Sequence, residues 1–232
     1  MTPNQAAPVP LELDALLRAA PVRQGDFAWS REPWRVQAHD LPEVLAMLEA
    51  LPDRVDRHSV REVVLEEFRA GNALSAFVAA MIWGYGTTGY GPGRVRWVLT
   101  GTRGTRAVDE PILATVATRL TAGATTVREA GPLEGYRAMN NELRIKFLGG
   151  AFFTKWLYFV SAVEGPYAVG AAPILDRQVA SWLDRNQVMG LNIRSTASYA
   201  RYLELLAAWG EQYGRSRVQV EQAIFGLATG RV

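Results

Sequence analysis

The chain has 232 residues, 49% of them hydrophobic, enough to bury a substantial core as one large domain or two small lobes. Its formal charge is only +2, so where the charges sit matters more than their sum. It has no cysteine and two histidines, His39 and His58. That excludes disulfides, iron–sulfur clusters, Cys-ligated zinc and a cysteine nucleophile, and no clustered motif points to a metal site.

Taken in chain order, the N-terminus MTPNQAAPVP lacks the basic and apolar regions of a signal peptide. No apolar run approaches the roughly 20 residues that a bilayer requires, so a soluble protein is expected. The first 35 to 40 residues are rich in Pro, Ala and Arg and read as an irregular arm around one short helix, LELDALLRAA. Ser59 and Glu62 have capping-box spacing ahead of VREVVLEEFRA, which ends at Gly71. Asn72 can cap ALSAFVAAMIW, whose apolar residues run nearly all round and predict a buried helix. Residues 84–106, GYGTTGYGPGRVRWVLTGTRGTR, read as glycine-rich loops carrying Arg94, Arg96, Arg103 and Arg106 and no acid. They are either a solvated loop or the place where a polyanion is met first.

Asp109 precedes EPILATVATRL, a helix expected to end near Gly123, and residues 133–147 read as a further helix. Gly149 and Gly150 then allow a tight reversal into a helix containing TKWLYFVSAV, with Lys155 placed in its first turn. Ser195 starts STASYARYLELLAAW, and Ser216 with Gln219 caps RVQVEQAIFGL. Period-2 alternation is scarce, so the fold class is all-α.

Lys155 stands out because the chain has only two lysines, the other being Lys146, and uses arginine elsewhere. Guanidinium does not deprotonate in proteins, whereas an amine at a helix start among aromatic rings has a route to nucleophilicity. Alone, Lys155 reads equally as a surface lysine whose stem covers aromatic rings. Asp176, in APILDRQVASWL, reads as the N-cap of the next helix. It is either a backbone cap only or a carboxylate pinned to face the lysine.

FLGGAFFTKWLYF followed by PILDRQVASWL resembles the helix-hairpin-helix DNA glycosylases, in particular their 8-oxoguanine glycosylase branch. WGYGTTGYGPGR resembles a segment of the bacterial members. The resemblance covers roughly residues 70–230 and departs at Phe153, where the family usually has glycine. It implies a two-lobed helical fold with a glycosylase domain over residues 59–232, preceded by an arm and accessory helices over 1–58. It implies a base-excision glycosylase with AP lyase activity, removing an oxidised purine such as 8-oxoguanine. A glycosylase for another damaged or modified base, including modified foreign DNA, and a non-catalytic helical DNA-binding protein are the alternatives.

In that reading Lys155 attacks the sugar while Asp176 activates the amine and stabilises the sugar cation. Phe159, one helical turn beyond the lysine, is the first choice for stacking on the flipped base, with Phe152, Trp83 and Tyr85 as further candidates. Each of these aromatic residues also reads as core. Gly149, Gly150, Arg94, Arg96 and Gln178 are the expected DNA contacts. No cofactor is needed, although family members often hold a monovalent cation with hairpin carbonyls. The expected partner is double-stranded DNA with a damaged or modified base, met by a cytoplasmic, nucleoid-associated bacterial monomer with no membrane association.

Overall fold

The computed structural model describes residues 7–20 and 24–230. Among these, helices dominate, and the only paired strands are β1 (Phe27–Ala28) and β2 (Arg54–Val55), which are antiparallel. The helices are α1 (Leu11–Arg18), α2 (Arg31–Gln37), α3 (Pro42–Ala50), α4 (Arg57–Arg69), α5 (Ala73–Tyr85) and α6 (Gly91–Thr100). After a short 3-10 turn, Thr105–Asp109, come α7 (Ala114–Asn140), α8 (Gly150–Ser161), α9 (Arg177–Arg185), α10 (Thr196–Tyr213) and α11 (Arg217–Thr229).

Several boundaries differ from the sequence reading, each for a local reason. The capping box of α4 lies three residues early, because Asp56 accepts from the Ser59 amide and Ser59 Oγ accepts from the Asp56 amide. Asn72 stands at the N-cap of α5 but spends its side chain donating to Glu67. Residues 91–100, read as loop, form α6, since Pro92 suits a first turn and the left-handed Gly101 ends it. Asp109 ends the 3-10 turn rather than capping α7, which starts after Leu113. That helix does not stop at Gly123 but continues to Gly131, where φ is 85°, and restarts at Pro132. Its two halves fold back on each other: a Cβ on Gly135 would lie 2.6 Å from Val127 Cβ. The second half ends at Asn140, so residues 141–149 form the irregular connection into α8.

One buried apolar cluster extends from Leu13 to Ile224, spanning both sides of residue 58. The arm is tied to the C-terminal helices: Trp209 Nε1 donates to the Ala7 carbonyl at 2.7 Å, and Tyr213 donates to Asp14 at 2.6 Å. At the centre Arg57 of α4 meets Glu221 of α11 at 2.8 Å, both fully buried. Helix α5 is buried from Ser75 to Trp83, as its all-round apolar pattern predicts, and packs between α4 and α8. No helix of the described residues is long and apolar enough to cross a membrane.

Candidate active site

Helix α8 begins at Gly150, so Lys155 lies in its second turn rather than its first. The helix is buried continuously from Phe153 to Ser161, and Lys155 is only 6% exposed. Two neighbours make room for its stem. Gly84 of α5 faces it so closely that a Cβ there would lie 2.8 Å from Lys155 Cδ. Phe152, one residue short of a turn earlier, places its ring centroid 5.4 Å from Nζ.

The amine donates to Asp176 Oδ2 at 3.0 Å and to the Ala151 carbonyl at 3.1 Å. Asp176 is the N-cap of α9, as its place in the sequence predicts. Its Oδ1 accepts from the amides of Gln178 at 3.0 Å and Val179 at 3.2 Å. One carboxylate oxygen is therefore fixed by the backbone and the other is presented to the lysine. Burial pushes the Asp176 carboxyl up, but the charge and hydrogen bond of Lys155, with the two amides, outweigh it. The net result lies below the ordinary carboxylate range.

Three hydroxyls that the sequence reading did not single out for the site hold the strand-like segment before Asp176. Tyr199 donates to the Pro173 carbonyl at 2.8 Å and Tyr202 to the Ile174 carbonyl at 2.9 Å, both from α10. Thr154, next to Lys155, accepts from the Leu175 amide at 3.3 Å. All three side chains are fully buried. The helical spacing of Tyr199 and Tyr202 was readable as a core face, but which carbonyls their tips reach is a tertiary property. Gly84 carried no sequence signal beyond being a glycine near a helix end.

Of the expected base-stacking residues, Phe152 and Tyr85 lie at the edge of the Lys155–Asp176 pair. They are half-buried and stacked on each other, with centroids 4.2 Å apart and planes 21° from parallel. Phe159 and Trp83 do not face this edge. Phe159 is fully buried, with its ring edge-to-face on Trp83 at 5.3 Å and on Tyr158 at 5.0 Å. Trp83 lies beneath the Arg57 guanidinium, 5.1 Å from its ring centroid. A helix buried all round sends the residue one turn beyond Lys155 into the core, not into a pocket.

The expected DNA contacts divide in the same way. Arg94 and Gly149 are exposed, whereas Gly150 is buried where any Cβ would collide with the Ile193 carbonyl oxygen. The amides of Gly150 and Ala151 have no acceptor among the described residues and lie at the positive end of α8. Gln178 is exposed and supplies its amide to Asp176. Arg96 is not available to DNA. It is 1% exposed, forms a two-pronged pair with Asp40 at 2.5 and 2.9 Å, and donates to the carbonyls of Gln37, Ala107, Val108 and Glu110. Arg94 and Arg96 are two residues apart on a helix, so they point to different sides of it.

In the hairpin itself, Phe153 is buried and sets its ring edge against Tyr136 at 4.9 Å, so this departure from the family pattern serves packing. The Gly149 carbonyl accepts from the amides of Phe152 and Phe153, and the Ile145 carbonyl accepts from Leu148. The described residues contain no cluster of acids and histidines suited to a metal ion.

A family model described as "Putative 8-oxoguanine DNA glycosylase OGG-like protein" matches residues 20–225. No curated protein and no solved structure matches the chain. The matched region includes the Lys155–Asp176 pair, the hairpin and most of the arm that the motif resemblance left out. The chain therefore belongs to the 8-oxoguanine DNA glycosylase OGG-like family.

Proposed function

We propose that this DNA glycosylase removes an oxidised purine, with 8-oxoguanine as the first candidate, from double-stranded DNA, and that Lys155 is its nucleophile. The observation that carries the reading is the buried contact of 3.0 Å between Lys155 Nζ and Asp176 Oδ2. A lysine kept only for phosphate binding has no need of a buried carboxylate, and would be placed on the surface like Arg94.

A duplex hides both C1′ and the base edge, so the target nucleotide must leave the stack. The half-buried ring pair Phe152–Tyr85 is the aromatic surface beside the lysine that can receive it. Nζ passes a proton to Asp176 and its lone pair attacks C1′. The C1′–N9 bond breaks, its electrons leave with the base, and Asp176 gives the departing base the proton it took from Nζ. Asp176, returned to its charged form, stabilises positive charge on the sugar. The C1′–O4′ bond then breaks as a proton passes from Nζ to O4′, which leaves a protonated Schiff base on Lys155, and loss of a C2′ proton then expels the 3′ phosphate. The exposed Arg94 and Gly149, with the free amides at the start of α8, hold backbone phosphates. No cofactor enters these steps, and none is routed through a cation at the hairpin.

Borohydride trapping on duplexes carrying 8-oxoguanine, another oxidised or alkylated base, uracil or an abasic site tests the reading. A covalent adduct is expected with the wild type and with Lys146→Gln, and none with Lys155→Gln. Equal trapping by the two variants, or no adduct with any substrate, would overturn it.

A further inference from the structure

An aromatic and cationic shelf continues outward from the Lys155 site. Phe152 beneath the amine stacks on Tyr85, and Tyr85 lies under the start of α6, where a Cβ on Gly91 would fall 2.9 Å from Tyr85 Cβ. Gly91, Arg94 and Trp97 recur every third residue and so share one face of that helix. The Arg94 and Arg103 guanidiniums lie 4.8 and 5.4 Å from the Trp97 ring centroid, and neither has a carboxylate partner among the described residues. Beside them opens a groove of about 420 Å³, whose lining includes Val36, Tyr90, Arg94 and Trp97. Tyr90 is 70% exposed.

The far side of the shelf is the hairpin. Phe147 is 42% exposed, sits edge-on to Trp97 at 6.2 Å, and carries the Lys146 amine 5.0 Å from its ring. Its φ is 67°, a left-handed value that a bulky residue rarely adopts. An exposed aromatic ring held in a disfavoured backbone state points to a task at the surface.

We propose that this shelf binds an unpaired stretch of DNA beside the extruded nucleotide, with bases stacking on Tyr90, Trp97, Phe147 and the arginine planes. The proposal rests on the glycosylase reading, because extrusion is what leaves neighbouring bases free to unstack. The chemistry favours single strands over duplex, since a π-face can receive a base only when that base is out of its own stack. It favours nucleic acid over a protein partner, since cations interleave the rings and residues 86–106 contain no acid. Because stacking is sequence-tolerant, the shelf adds affinity without choosing the lesion.

Fluorescence anisotropy with a labelled oligo-dT tests this on the full chain. Tyr90→Ser, Trp97→Leu and Phe147→Asn are each expected to weaken binding about fivefold or more, with the salt dependence unchanged. Arg103→Ala is expected to flatten the slope of log K against log salt by about 0.7. Tyr90→Ser is decisive, because so exposed a side chain contributes little to folding. Wild-type affinity in Tyr90→Ser and Phe147→Asn, or no oligo-dT binding by the wild type, overturns the shelf. Trapping separates the two readings. Adduct formation with unchanged oligo-dT binding sinks the shelf alone, whereas lost oligo-dT binding without any adduct supports the shelf and sinks the lysine chemistry.

Discussion

Replacing Gly84 by alanine should separate stability from catalysis. Gly84 lies inside α5 with no left-handed backbone requirement, so the helix itself gains about 1 kcal/mol from the change. Against this, the new Cβ would sit 2.8 Å from Lys155 Cδ, 3.5 Å from Cε and 3.7 Å from Phe152 Cδ1. Carbon atoms pack best at about 3.5–4.0 Å, so the lysine stem must retreat by roughly 0.7–1.2 Å. Overpacking of this kind costs about 1–3 kcal/mol, which leaves a net loss of at most about 2 kcal/mol. For a chain this long the melting temperature should fall by no more than about 8 °C. Catalysis is less tolerant, because a misplacement of about 1 Å costs on the order of 100-fold. The expected result is a folded Gly84→Ala variant whose single-turnover adduct formation under borohydride falls about 10- to 100-fold. Gly170→Ala, where a Cβ meets nothing within 4 Å, serves as the control and should react like the wild type. A wild-type rate in Gly84→Ala, or a rate loss explained entirely by unfolding, would refute the placement of the lysine.

Asp176→Asn keeps a good N-cap but removes the acceptor of Lys155, so duplex binding should persist while turnover collapses. Unchanged turnover would reduce Asp176 to a helix cap. The same variant has a pH signature. The folded Asp176 carboxyl titrates below its unfolded value, so its stabilisation is present above about pH 4 and is lost as pH falls through the folded value. The melting-temperature deficit of Asp176→Asn should therefore shrink on acidification, and a deficit that grew would contradict the assigned direction. Arg96→Ala should cost about 2–5 kcal/mol by urea unfolding, because it strands Asp40 and four carbonyls. Its salt dependence of duplex binding should not change. Arg94→Ala should do the opposite, leaving stability unchanged and reducing the salt slope by about 0.9.

Much of this architecture was legible because helix signals are local. The Ser195 cap, the Ser216–Gln219 capping box and the all-round apolar pattern of α5 need only a few neighbouring residues to be read. The N-cap role of Asp176 was likewise readable from its place before RQVASWL. What failed was set by tertiary contact. Gly123 looked like a helix stop, yet it is the residue whose missing side chain admits Met139 when α7 folds back. Arg96 and Arg94 look alike in a basic run, but the turn of α6 sends one into a cage of carbonyls and leaves the other in solvent. Phe159 has the spacing of a pocket residue on a helix that turns out to have no open side at that depth.

The same distinction explains how the site keeps its geometry. Lys155 and Asp176 come from different helices, 21 residues apart, and no local rule fixes the 3.0 Å between their polar atoms. The lysine is positioned from one side by Gly84 and Phe152, which shape the channel of its stem. The aspartate is positioned from the other by its own cap bonds, and by hydroxyls holding the carbonyls and amide of residues 173–175. Thr154 joins the two halves, because it belongs to the lysine's helix and bonds to the residue before the aspartate. A rotation of α8 that moved Lys155 would therefore also pull on Leu175, so the two partners shift together rather than apart. With both partners at most 9% exposed, reorganising water has little access to loosen the pair. Under the proposed reaction, rigidity at the pair would make the extruded nucleotide the component that moves, and would place the demand for adaptability on the rim formed by Phe152 and Tyr85.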